Sequence, residues 1–109
     1  MMRYRLGDII TAAGGTFTSK LRPIVIFQNP EVGTGDSVIV MPLTSYSNKE
    51  NELRIPVEPN DTNGLDRHCW LEVDKLSAIR VNWLGAKVGR LDEPILDDAR
   101  TMILKLLSA

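Results

Sequence analysis

Apolar residues fall into short runs along this chain, each ended by a cluster of Gly, Pro, Asn, Asp or Ser. That punctuation predicts strands joined by turns rather than long helices. "YRLGDIITAA" reads as the first strand and "RPIVIFQ" as the second. "SVIVMPLTS" and "ELRIPVE" follow, "CWLEVDKLSAIRV" supplies one or two more, and "AKVGRL" the last. The second and third are apolar at successive positions, so both of their faces are expected to be buried and both strands central. In the turn "PNDTNGLD", Asn63-Gly64 can take positive φ. From Asp92 the period changes. Ile95, Leu96, Ala99, Met102, Ile103, Leu106 and Leu107 repeat at helical spacing. Asp92 is placed as N-cap, and Pro94 fits the first turn. The pattern predicts a mainly β domain, a small β-barrel closed by a C-terminal α-helix.

Composition narrows the class. A chain of 109 residues suits one domain, taken as 1–109, with 43% hydrophobic and 25% charged residues. Its one cysteine, Cys69, cannot bridge internally, which points to a reducing compartment. No apolar run approaches a membrane span and the N-terminus lacks a signal-peptide core, so a cytoplasmic protein with no membrane contact is expected. The net charge of −1 argues against a non-specific coat for duplex DNA. Charge is uneven, however: Arg3, Arg5, Lys20 and Arg22 gather near the start, and Asp92, Glu93, Asp97 and Asp98 near the end. No P-loop, dinucleotide fingerprint or pair of metal-binding carboxylates is present.

The segment "SKLRPIVIFQNP" places a guanidinium at the mouth of the most apolar strand. If strands two and three pair about a turn centred near Gly33, Arg22 comes opposite Thr44. Pro23 cannot donate to a ladder and belongs at a strand start, and it biases Arg22 toward extended backbone. An arginine beside a hydroxyl suits a phosphodiester: the fork donates to two phosphate oxygens, and the hydroxyl donates to an oxygen of the developing phosphorane. In RNA the neighbouring 2′-hydroxyl can serve as nucleophile, so the site would need no metal cofactor. The other reading stays open here, with Arg22 paired to Asp8 or Asp74 and Thr44 capping a turn.

The ordered set "GDII", "RPIVIFQ", "VIVMPLTS", "RIPVEP", "NGL", "VDKLSAIR" and "GAKVGRLD" resembles the MazF/PemK toxins of bacterial toxin–antitoxin systems over nearly the whole chain. That resemblance implies an SH3-like barrel with a C-terminal helix, working as a homodimer. It implies a sequence-specific endoribonuclease of single-stranded RNA that leaves a 2′,3′-cyclic phosphate and a 5′-hydroxyl. It also implies a cognate antitoxin whose acidic tail lies along the groove. The family's Arg-Pro arginine falls on Arg22 and its Thr-Ser threonine on Thr44. The expected RNA contacts are Phe17 and Lys20 in a flap over "TAAGGTFTSK", together with Ser45, Asp74 and Lys75. Phe17 either stacks a base or folds back on the core. Some members carry a basic residue where this chain has Glu72, while Asp74 is kept. Arg22 is assigned to clamping the phosphate, and the base for the 2′-hydroxyl is left unassigned.

His68 is expected to be solvated beside a turn, Cys69 to be a small buried apolar residue, and Trp70 to be core. Two alternatives are a CcdB-like gyrase poison and a non-catalytic protein-binding barrel. The first is disfavoured because "ILKLLSA" carries no aromatic tip.

Overall fold

Each predicted run forms its element in the computed structural model, which describes residues 4–13, 21–46 and 50–108. Strands β1 (Asp8–Ala12), β2 (Arg22–Ile26), β3 (Ser37–Thr44), β4 (Arg54–Val57), β5 (Cys69–Glu72), β6 (Ser77–Arg80) and β7 (Leu84–Arg90) precede helix α1 (Glu93–Leu107). All pairings are antiparallel. The ladder order is β4-β5-β3-β2-β1-β7, with β6 also on β3. Among the described residues the hydrogen-bonded path stays open, with β4 and β7 at its ends, so the ladder is a seven-stranded antiparallel sheet that does not by itself close the expected barrel.

"CWLEVDKLSAIRV" gives two strands because a 3-10 turn over Val73–Lys75 redirects the chain. β6 then pairs with Ser37–Val40 of β3, while β5 pairs with Leu43 and Thr44 further along the same strand. β3 is thus shared by two stretches of sheet.

Alternate residues feed two apolar clusters, one on each face. Ile9, Val25, Met41, Leu43, Ile55, Cys69 and Leu71 pack with Leu96 and Ala99 of α1. Ile10, Ala12, Ile24, Ile26, Val38 and Val40 form the other, with Tyr4 and Ile79, and Trp83 packs against it. This double burial explains why β2 and β3 read as apolar throughout. α1 follows the predicted stripe through Ile103, since Ile95, Met102 and Ile103 also pack against the helix-side cluster, and leaves it only at its end. Leu96 and Ala99 are sealed, whereas Leu104, Leu106 and Leu107 are exposed. Asp92 sits at the N-cap position, but its carboxylate makes no cap bond and accepts instead from Asn60 Nδ2 at 3.1 Å. Gly64 takes φ +66, as its turn requires, and an added Cβ would lie 2.3 Å from the Val88 carbonyl oxygen. Among the described residues no helix is long and apolar enough to cross a membrane.

Candidate active site

The registers of β2, β3, β5 and β4 decide which side chains share a face, because directly opposed residues of an antiparallel ladder point to the same side. Ile24 faces Pro42 and Val25 faces Met41. The same register, continued two residues outward, opposes Arg22 to Thr44. Thr44 faces Trp70, and Trp70 faces Pro56. Thr44, Trp70 and Pro56 therefore form one row across three strands, and the continued β2–β3 register adds Arg22 to it. Two residues along, Glu72 faces Arg54. This row lies on the face that α1 leaves uncovered, since the neighbours Val25, Leu43, Leu71 and Ile55 point into the helix-side cluster. One end of the uncovered face is sealed by the second cluster, and its other end is polar.

Arg22 begins β2 and is exposed, and Thr44 ends β3 half-buried. The Tyr46 backbone N–H donates to Thr44 Oγ1 at 3.1 Å. That bond engages a lone pair of the hydroxyl and makes no demand on its proton. Capping the turn and donating to a ligand are therefore compatible for Thr44. The aspartates weighed as partners for Arg22 are engaged elsewhere. Asp8 is held by Arg90 at 3.1 Å and Lys87 at 3.2 Å, and Asp74 by Arg54 at 3.2 Å. Ser45 follows Thr44 and is exposed. Phe17 and Lys20 lie outside the described residues.

Asp74 and Lys75 come together with two further residues in one ionic network. Arg54 donates to Glu72 Oε2 at 2.6 Å and to Asp74 Oδ1 at 3.2 Å, and Lys75 Nζ lies 3.3 Å from Glu72 Oε2. Asn51 Nδ2 adds a bond to Asp74 at 3.2 Å. The network holds two cations and two anions, so it rigidifies this end of the face without setting its sign. Glu72, where the family resemblance led one to expect a basic residue in some members, is thus a buried carboxylate matched by Arg54 from the next strand. Sequence reasoning missed Arg54, although the period of two in "RIPV" puts Arg54 and Pro56 on one face.

His68 and Trp70 depart from expectation. The His68 imidazole is not simply solvated: Nδ1 donates to Glu58 Oε1, and the ring lies 4.2 Å, centroid to centroid, from that of Trp70 at 55°. His68 Nε2 is buried and has no partner among the described residues. Trp70 is not core; it is half-buried on the uncovered face and belongs to neither apolar cluster. Cys69 is buried as expected. Desolvation pushes its thiol above the ordinary range, aided by the Asp66 charge and opposed by Arg67. Among the described residues no group of three or more His, Cys, Asp or Glu is placed to hold a metal ion. A surface cavity of 910 Å³ lies at the far end of the sheet, lined by Tyr4, Ile10, Arg80, Leu84 and Lys87 among others. The Arg22 row has no part in it.

Comparison with known proteins fits this geometry. Residues 5–107 match the family model of the PemK-like, MazF-like toxins of type II toxin–antitoxin systems. A protein of Mycolicibacterium smegmatis named "Probable endoribonuclease MazF" is 39% identical over 90 residues, covering 82% of this chain and 83% of that one. Among solved structures, the MazE–MazF structure from Deinococcus radiodurans superposes with a TM-score of 0.78 at 14% identity, covering 99% of this chain and 98% of that one. Mycobacterium tuberculosis toxin MazF-mt6 gives a TM-score of 0.70 at 23% identity, with coverages of 91% and 93%. At those identities the structures speak for the fold, and the sequence matches speak for descent. A chain matched over nearly its whole length by the family model, and sharing more than a third of its aligned residues with a named relative, belongs to the PemK-like, MazF-like toxin family.

Proposed function

We propose that this protein is a MazF-like endoribonuclease toxin that cuts single-stranded RNA and is held inactive by a cognate antitoxin. The observation that carries the reading is the β2–β3 register, which supports an exposed guanidinium and a strand-end hydroxyl acting on one phosphate. The kinship with a protein named as an endoribonuclease supplies the reaction class.

The chemistry is a transesterification. The ribose 2′-oxygen forms a bond to the adjacent phosphorus as the bond from phosphorus to the 5′-oxygen breaks. The 2′-hydroxyl proton is lost and the departing 5′-oxygen gains one, which leaves a 2′,3′-cyclic phosphate and a 5′-hydroxyl. Arg22 clamps two phosphate oxygens and stabilises the charge that builds in the phosphorane. It stays charged throughout, so it is a clamp and not a proton carrier. Thr44 donates its O–H to a further oxygen. Ser45 and Lys75 extend the polar contact along the strand, while Asp74 works through Arg54 by holding it in place. By resemblance to the family, Lys20 would meet a phosphate and Phe17 would either stack a base or fold back on the core; both lie outside the described residues.

The finer architecture belongs to the same reading. β6 and β7 flank the second cluster from opposite sides, in keeping with a sheet coiled toward an SH3-like barrel. Leu104, Leu106 and Leu107 give α1 an apolar end suited to a second copy in a homodimer. A toxin that acts on cellular RNA would work in the cytoplasm. The decisive experiment incubates purified protein with end-labelled single-stranded RNAs of varied sequence in EDTA. Cleavage with cyclic-phosphate ends at a defined sequence supports the proposal, and uncut RNA across all sequences overturns it.

A further inference from the structure

The row that carries Arg22 and Thr44 continues directly into a large aromatic side chain, and Trp70 has no assignment in the chemistry above. Trp70 stands opposite Thr44, and neighbouring strands lie about 4.8 Å apart, less than the extended span of one nucleotide. A phosphate held at Arg22 and Thr44 thus brings an adjacent base within reach of the indole.

The indole is built to stay in place. It belongs to neither apolar cluster, so filling a core does not explain it. The His68 ring backs it at 4.2 Å, and Glu58 fixes His68 through Nδ1. Glu58 continues the β4 side of the same face beyond Val57, past the exposed Pro56 that opposes Trp70. His68 Nε2 makes no bond among the described residues that would account for its burial, so the ring is there to pack. A half-buried aromatic held rigid by a second ring presents a surface with little entropy left to lose on binding.

We infer that Trp70, positioned by His68 and Glu58, is the platform on which a base next to the scissile phosphate stacks. Every base has a π-face, so the platform grips RNA without dictating sequence. This inference rests on the ribonuclease reading but is separable from it.

The test uses Trp83→Phe protein, in which Trp70 is the remaining tryptophan. Its fluorescence is titrated with 2′-O-methyl RNA of the mapped cleavage sequence, which lacks the nucleophile, or with a random-sequence pool if no cleavage is found. Saturable quenching is expected. In cleavage assays Trp70→Ala should raise KM by about 10- to 100-fold with kcat little changed, and Trp70→Phe should recover most of the loss. Should Trp70→Ala fail to fold, the fluorescence titration of the native residue decides alone. Active enzyme with no quenching, or with an unchanged KM in folded Trp70→Ala, removes the platform and leaves the ribonuclease. Quenching without any cleavage keeps the platform and removes the ribonuclease. Neither quenching nor cleavage removes both.

Discussion

The β2–β3 ladder ends on the Ile24–Pro42 pair, and its register, carried two residues outward on the face that α1 does not cover, sets Arg22 against Thr44 at the open end of the hairpin. Arg22 is exposed and outside both apolar clusters, so its removal should spare the fold. Arg22→Ala should lower kcat for RNA cleavage by about 10²–10³-fold, the loss typical for one donor to a developing oxyanion. Thr44→Val removes the hydroxyl at constant shape and should fall in the same range, while Thr44→Ser should keep most activity along with the bond from Tyr46. Cleavage rates check both, read beside thermal melts that show each variant folded. Full activity in Arg22→Ala would remove the clamp.

The antitoxin is expected to compete for that residue. An acidic segment laid over the uncovered face must neutralise Arg22, and such contacts weaken with salt because exposed charges are screened within about 8–10 Å at physiological ionic strength. Affinity for the cognate antitoxin should therefore fall as salt rises, fall further in Arg22→Ala, and fall when single-stranded RNA is added. Calorimetric titration with and without RNA reads all three. Simultaneous binding of both ligands without loss of affinity contradicts occlusion of the site.

Much of this was legible in the chain because two local rules act alone there. Strands β2 and β3 are apolar at successive positions, and a turn centred near Gly33 sets their register, so the Arg22–Thr44 relation follows from counting. The site's surroundings depend on partners remote in sequence. Glu72 looks like a lost cation until Arg54, eighteen residues earlier, is seen across the β4–β5 ladder. Trp70 reads as core because tryptophan usually is; its true place depends on which face α1 takes, and strand periodicity does not encode that.

Arg54 and Glu72 have side chains only 9% and 10% exposed and stand 2.6 Å apart. Removing one member leaves a buried charge unpaired, which typically costs about 3–5 kcal/mol. Lys75 still reaches Glu72, so Arg54→Met should cost roughly 3 kcal/mol, at the low end of that range. Arg54→Met with Glu72→Leu should be more stable than Arg54→Met alone, because both charges are then gone. Urea denaturation of the two single variants and the double variant measures the coupling. Additive losses would show that the pair does not interact as the geometry requires.

Asn63 is 1% exposed and organises the turn before β5. Its Nδ2 donates to the Glu58 carbonyl at 2.7 Å, and its Oδ1 accepts from the backbone N–H groups of Asn60 and Leu65 at 3.0 Å each. Asn63→Ala strands these groups, each unmet buried partner costing about 1–3 kcal/mol, so a total loss of roughly 3 kcal/mol is expected after water recovers some of them. Asn63→Asp keeps the acceptor and loses the donor, and should fall between. The denaturation midpoints of the three proteins order the outcome, and an Asn63→Ala midpoint equal to wild type rules out the turn as a structural lock.

Cys69 gives the fold an alkaline limit. Burial comes first among the causes that raise its thiol, with Asp66 adding and Arg67 opposing. A raised value means the folded state favours the protonated thiol more than the unfolded chain does. The resulting stabilisation is complete below the unfolded thiol's range and is lost as pH rises through the higher folded value. Unfolding free energy should therefore decline on the alkaline side of about pH 8.5, the usual thiol range, and Cys69→Ala should lack that part of the decline. The same burial keeps the thiolate scarce and covered, so alkylation near pH 8 should be slow in native protein and rapid in urea. Equal alkylation rates in the two states would place the thiol in solvent and contradict its burial at the start of β5.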